Sequence, residues 1–300
     1  MKLSRLLLGV LLITSCGKCG TSDKTSEIKS DTTTVSSVED TLPENPVDKN
    51  FFISAPAHVV PANTTDTITD PVITFSVLRM GDNSKLIIDN GIDSSQVNIK
   101  TCFIGDNCEI YVVGSKGGAG DKGADLGDDN DHGKDGTPGP SGGNGKTGGD
   151  GKYLQVNIGL NKLGKLTINS YGGTGGVGGN GGKGQRGGNA QRFIHSGGNG
   201  GSGGSGGIGG SGGAGGKVVV NYWFNDSPLD VEGKFTVRSD GGAGGVGGEG
   251  GPGGGGGSAV SSGFTGKRSG GSPGPSGSKG AAGPSGAHGP FPKVTQVRKT

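Results

Sequence analysis

The residues with chemistry to offer in this 300-residue chain are four histidines, four cysteines and a few arginines and aromatics set among 72 glycines. His58, His132, His195 and His288 are scattered among unrelated segments, with no serine or cysteine elbow beside them. No catalytic constellation emerges, and the chain reads as a protein that is not an enzyme. Gly145-Lys146-Thr147 ends like a phosphate loop, but the first glycine that such a loop requires is Pro140. Gly-x-Gly-x-x-Gly recurs by composition alone, with no helix to follow it, so no nucleotide or other cofactor is implied. The acidic run Asp128-Asp129-Asn130-Asp131-His132-Gly133-Lys134-Asp135-Gly136 gathers oxygens as a calcium loop does. It places glycine where a ligand is needed and lacks the distal glutamate, so a solvated turn is expected and no metal. Cys102 and Cys108 flank a glycine-containing turn between two β-like runs, and an oxidising compartment would join them as a disulfide closing a hairpin. A zinc site would need a second ligand pair at metal spacing, and there is none. Arg192, Phe193, His195, Phe264, Lys267 and Arg268 remain as candidate ligand-binding residues, because arginines and aromatics are the usual anchors of a binding patch. The plainer role for the apolar ones is to pack on each other and close the ends of the segments that carry them.

What must position these residues is a glycine pattern of period three. From Gly172 to Lys217 glycine recurs at 172, 175, 178, 181, 184 and 187, then at 197, 200, 203, 206, 209, 212 and 215, usually followed by a second glycine. Neither a helix of period 3.6 nor a strand of period 2 places such glycines on one face, whereas a left-handed polyproline-II helix has three residues per turn. The expectation is therefore rods of polyglycine-II helix. They lack internal hydrogen bonds and must use one another as partners. Thr174, Val177, Asn180, Lys183, Asn199, Ser202, Ser205, Ile208, Ser211 and Ala214 fill the third, outward position. A flexible Gly/Ser linker has no need of strict triplet phase.

Strand-like runs alternate with the rods. Gly164-Lys165-Leu166-Thr167-Ile168-Asn169-Ser170-Tyr171-Gly172-Gly173 matches the stretch from Gly233 to Gly242, and Ile110 to Gly118 is a fainter copy. Returns run through Tyr153-Leu154-Gln155-Val156, Val218-Val219-Val220 and, more weakly, Lys293-Val294-Thr295-Gln296-Val297. Each copy then reads strand, rod out, loop, rod back, strand. Outgoing rods are expected at about 114–127, 172–188 and 241–257, and returning rods at about 133–151, 197–216 and 270–290, each about 3.1 Å per residue long. Residues 51–113 are β-branched and alternating, with turn signals at Gly81-Asp82-Asn83 and Asp89-Asn90-Gly91, which suggests short antiparallel strands. The expected fold class is thus an all-β base of short antiparallel strands carrying about six antiparallel polyglycine-II helices, with essentially no α-helix in the mature chain. The collagen-like triplets at 136–141 and 274–288 raise a trimeric triple helix as the rival, against which stand the absence of proline from 172 to 217 and the surplus glycine there.

At the N-terminus Lys2 and Arg5 precede the apolar run Leu6–Ile13, a secretory signal over residues 1–15. Leu12-Ile13-Thr14-Ser15-Cys16 resembles the lipobox of bacterial lipoproteins. That resemblance implies lipidation of Cys16 and a secreted, lipid-anchored protein. With Gly17 rather than aspartate following, it also implies the outer membrane or cell surface of a diderm bacterium. Cys19 is left unpaired. Residues 16–50 are polar and too poor in apolar groups to order themselves, so a disordered tether is expected. The formal net charge of +2 gives no reason to expect nucleic acid or an anionic membrane as a partner chosen by bulk charge.

The alternation of Gly-Gly-x runs with loops over about 114–290 resembles the distal adhesins of T-even-like phage tail fibres. The resemblance implies receptor-binding loops at one end of the rods, here 126–132, 189–196 and 258–269. The lipobox, tether and β base depart from that pattern and imply a cell-surface object. Two functions follow: an adhesin that recognises an extracellular protein or glycan through its loops, or a structural spacer or coat component with no specific ligand. Ice binding wants a flat, regular outward array, which the mixed Asn, Lys, Glu and Ile positions do not make.

Overall fold

A computed structural model describes residues 33–34, 54–70, 72–261 and 266–298, all within one compact unit, Asp31–Thr300. The signal segment, Cys16, Cys19, most of the expected tether and Phe264 lie outside the described residues. The strands are β1 (Thr33–Thr34), β2 (Ala57–Val60), β3 (Thr65–Ile68), β4 (Val72–Met80), β5 (Lys85–Ile88), β6 (Ser94–Ile104), β7 (Cys108–Val113), β8 (Tyr153–Leu163), β9 (Leu166–Tyr171), β10 (Val218–Phe224), β11 (Phe235–Arg238) and β12 (Lys293–Gln296).

From β2 onward, successive strands alternate between two sheets, in the orders β1-β11-β9-β7-β5-β3 and β12-β10-β8-β6-β4-β2. Within each sheet every pairing is parallel, except that β1, inside the stretch expected to be a tether, adds antiparallel to β11. Two strands therefore make one turn of a coil, and successive turns stack. The sequence copies stack in register: Ile110 of β7 lies against Ile168 of β9, and Ile168 against Val237 of β11. Strands from before and after residue 113 share both sheets. Alternate residues of both sheets, among them Leu86, Ile99, Ile110, Leu154, Ile158, Val220, Tyr222 and Phe235, form one buried cluster. Each such side chain contributes about 1.5–3 kcal/mol by leaving water.

The turn signals read as hairpins are corners between the sheets. Asn63, Asn83 and Asn107 all adopt left-handed backbone, with φ of 59°, 56° and 57°. Their amides form a ladder, Asn83 Nδ2 donating to Asn63 Oδ1 at 3.1 Å and Asn107 Nδ2 to Asn83 Oδ1 at 3.0 Å. Asparagine tolerates this conformation because its short amide bonds locally. The same turn chemistry serves a hairpin or a corner, so it does not say to which sheet the chain returns.

The glycine stretches leave the coil between β7 and β8, between β9 and β10, and between β11 and β12. Outgoing segments lie side by side and parallel, with Gly117 N donating to Thr174 O at 2.8 Å and Gly175 N to Ala243 O at 2.8 Å. Returning segments do likewise, through Gly136 N to Asn199 O at 2.7 Å and Gly200 N to Ser272 O at 2.8 Å. Antiparallel bonds join the two layers, as in Gly176 N to Lys146 O and Gly179 N to Gly143 O, both 2.8 Å. Among the described glycines of these segments only Gly133 has positive φ, so their glycine answers to space rather than to backbone freedom. A Cβ on Gly176 would strike the carbonyl of Gly118, and one on Gly209 that of Gly245. N–H groups at the third position find side chains of the level below: Asn199 N bonds Asp135 Oδ1 at 2.6 Å, and Ser272 N bonds Asn199 Oδ1 at 2.9 Å.

The expected fold class is therefore corrected. The base strands are parallel, because each returns only after the chain has passed through the opposite sheet. The described residues include no helix, and a polyglycine-II bundle is replaced by two layers of glycine segments whose neighbours within a layer run parallel, a consequence of their growing from parallel strands. The collagen-like triplets sit in the first and last levels. In the second level Gly203, Gly206 and Gly209 donate forward to Pro275, Ser278 and Ala281. The last segment has no further level to meet and carries Ser276, Lys279 and Ala282 in the corresponding places. It pairs within the chain, Gly277 N bonding Gly251 O at 2.8 Å, which accounts for one glycine in three without a triple helix.

Candidate recognition loops

The turns between outgoing and returning segments are held against one another. Gly133 N donates to Asn189 O at 3.0 Å, joining the first loop to the second. Ala190 N donates to Ser258 O at 2.9 Å and Gly197 N to Ser269 O at 2.8 Å, joining the second to the third. Arg186 Nη2 adds a bond to Ser258 Oγ at 2.7 Å.

At the crest of the second loop, Gln191 and His195 pair through Gln191 N to His195 O at 2.9 Å and His195 N to Gln191 O at 3.1 Å. Ile194 N also bonds Gln191 O at 3.1 Å, which makes residues 191–194 a tight turn. Phe193, third in that turn, has φ of 63°, a place that glycine or asparagine ordinarily takes. Its side chain is 56% exposed and that of Ile194 is 59% exposed. The Arg192 guanidinium lies over the Phe193 ring, 4.7 Å from its centre. From the third loop Arg268 Nη2 donates to Phe193 O at 3.0 Å, and Arg268 pairs in turn with Val260. Gly266 fits under the pair: a Cβ there would come within 2.9 Å of Arg192 Nε and 3.3 Å of Phe193 Cζ. His195 and Lys267 are exposed nearby in sequence, and Phe264 is outside the described residues.

Charge is sorted between the loops. Asp128 pairs with Lys183 at 2.8 Å and Asp131 with Lys134 at 2.7 Å, and the lysine hydrogen bond holds each carboxyl below the usual carboxylate range. Asn130 Nδ2 is taken up by the carbonyls of Lys134, Asp135 and Arg186. No group of three metal-ligating side chains exists among the described residues. Arg192, Lys267 and Arg268 have no carboxylate partner among the described residues.

Cys102 and Cys108 are free, buried thiols, so the expected disulfide is corrected. Cys102 lies within β6, two residues before its end, and Cys108 begins β7; these strands belong to different sheets and do not pair as a hairpin. Cys108 Sγ bonds Gly81 O at 3.1 Å, and burial pushes the Cys102 thiol far up, with the Cys108 thiol adding to the shift.

His58, one of the scattered histidines, meets Asp66, a partner that the sequence does not suggest. Nε2 and Oδ2 lie 2.8 Å apart, close but not aligned as a hydrogen bond, and the imidazole stacks on Phe75 at 4.9 Å. They line a groove of about 610 Å³ at the β2 and β3 edges. They stand eight positions apart, on strands of different sheets, so no short motif announces the pair. The chain matches no protein-family model, and no curated protein is recognisably similar to it in sequence.

Proposed function

We propose that the protein is a surface-anchored lipoprotein, tethered through Cys16, that acts as an adhesin or ligand-recognition protein through loops 126–132, 189–196 and 258–269. The observation that carries this reading is the exposed, strained Phe193 beside Arg192, braced from a neighbouring loop by Arg268. Loops fixed on a rigid scaffold commonly carry recognition. An aromatic left exposed at a conformational cost answers to something other than packing. The spacer reading draws on the hydrogen-bonded glycine layers, which would serve it equally well. The two separate in a cell-attachment assay on the combined variant Arg192→Ala, Phe193→Ala, Phe264→Ala. Lost attachment with nearly unchanged thermal unfolding supports recognition, and undiminished attachment leaves the spacer.

A further inference from the structure

We infer that the ligand of these loops is an acidic polysaccharide, a sugar polymer bearing carboxylate or sulfate groups, held by Arg192, Phe193 and Arg268; this rests on the recognition reading above. The first ground is electrostatic. Asp128 and Asp131 each lie within hydrogen-bond distance of a lysine and Asp129 stays on the first loop, whereas Arg192, Lys267 and Arg268, on the second and third, have no carboxylate partner among the described residues. A guanidinium left unpaired beside an aromatic ring is built for a planar anion, which it grips through two parallel N–H donors.

The second ground is the ring itself. Phe193 holds a left-handed backbone that a glycine would adopt without strain, yet more than half of its surface stays in water. An exposed ring edged by cations offers the C–H face of a pyranose a flat apolar platform, while the guanidinia take the acidic substituent. A lipid surface suits the site less well. Inserting Phe193 into hydrocarbon would carry with it the Arg192 guanidinium, 4.7 Å from the ring centre.

The test uses the full chain in biolayer interferometry against immobilised polygalacturonate, dextran sulfate and neutral dextran, and against vesicles of phosphatidylglycerol, at low and moderate salt. The expected result is retention on one or both acidic polymers, weakened by salt, with none on neutral dextran and less on the vesicles. Which acidic polymer is held tells carboxylate from sulfate. Arg192→Gln with Arg268→Gln should weaken binding at least about tenfold, and Lys279→Gln, on an edge segment, should leave it unchanged. Phe193→Gly should weaken binding equally while raising Tm by about 2 °C, because glycine relieves the strained turn. Equal retention on vesicles or neutral dextran overturns the inference, as does wild-type binding by the arginine variant. A Tm lowered by Phe193→Gly would make the ring a structural plug and overturn it too. If no acidic polymer is held while the attachment assay still responds to the loop variant, the ligand class is wrong and the recognition reading stands.

Discussion

Asn157 Nδ2 donates to Asn98 Oδ1 at 2.7 Å across β6 and β8, and Asn157 Oδ1 accepts in turn from Asn221 Nδ2 on β10 at 2.8 Å. Asn98 and Asn157 are fully buried, so the ladder ties three successive turns of the coil together where water cannot substitute. Asn157→Ala removes the middle rung, taking the acceptor from Asn221 Nδ2 and leaving Asn98 Oδ1 only the Gln96 Nε2 donor at 3.1 Å. It should lower unfolding stability by about 2–3 kcal/mol in urea titration. A loss under about 0.5 kcal/mol would mean that the ladder is incidental to the stacking of the turns.

Glycines within the layers should divide sharply by position. At Gly176 a methyl group meets the Gly118 carbonyl, whereas at Gly255 the nearest atom to a new Cβ is Arg186 Cγ at 3.9 Å. Gly176→Ala should cost about 3 kcal/mol or prevent folding, since backbone on the far side has nowhere to go. Gly255→Ala should be neutral or stabilise by about 0.5 kcal/mol through the unfolded chain. Equal effects in thermal melts would refute close approach as the reason for the glycine content.

The thiols of Cys102 and Cys108 should resist iodoacetamide in the folded protein at pH 8. Burial disfavours the thiolate at Cys102 and raises its pKa, and it keeps the reagent from both sulfurs. In denaturant without reductant the peptide holding both cysteines should be alkylated twice. Recovery of an unalkylated, cross-linked peptide would restore the disulfide.

For the anchor, Cys16→Ala should shift the protein from the membrane fraction to the soluble fraction, because a lipidated N-terminus is the attachment proposed. Membrane association persisting in that variant would remove the lipid anchor and oblige another attachment.

Much of this architecture was legible in the sequence, and the part that was not has a definable cause. The strand copies around Leu166 and Phe235 are recognisable as repeats, and they pair in register. Loops 126–132, 189–196 and 258–269 follow from the points where triplet phase breaks, and hydrogen bonds bring them together. Strand direction did not follow, because Gly81-Asp82-Asn83 is compatible with a hairpin and with a corner. Cys102 and Cys108 misled for the same reason, a short spacer suggesting a hairpin where the chain changes sheets. Nothing in the local sequence marks Phe193 as the residue under strain, since backbone conformation depends on what Gln191, His195 and Arg268 hold around it.

The sequence alone determined where glycine recurs, which runs from Val72 onward are strands and where the loops fall, because period and composition are properties of neighbouring residues. Tertiary structure alone decided that the strands run parallel in two sheets, that segments hemmed in by neighbours, such as 172–188 and 241–257, require two glycines per triplet where the outermost returning segment requires one, and that Arg268 of one loop braces Phe193 of another. Each of these depends on which distant segment lies alongside, a relation that stacking one turn of chain on the next creates.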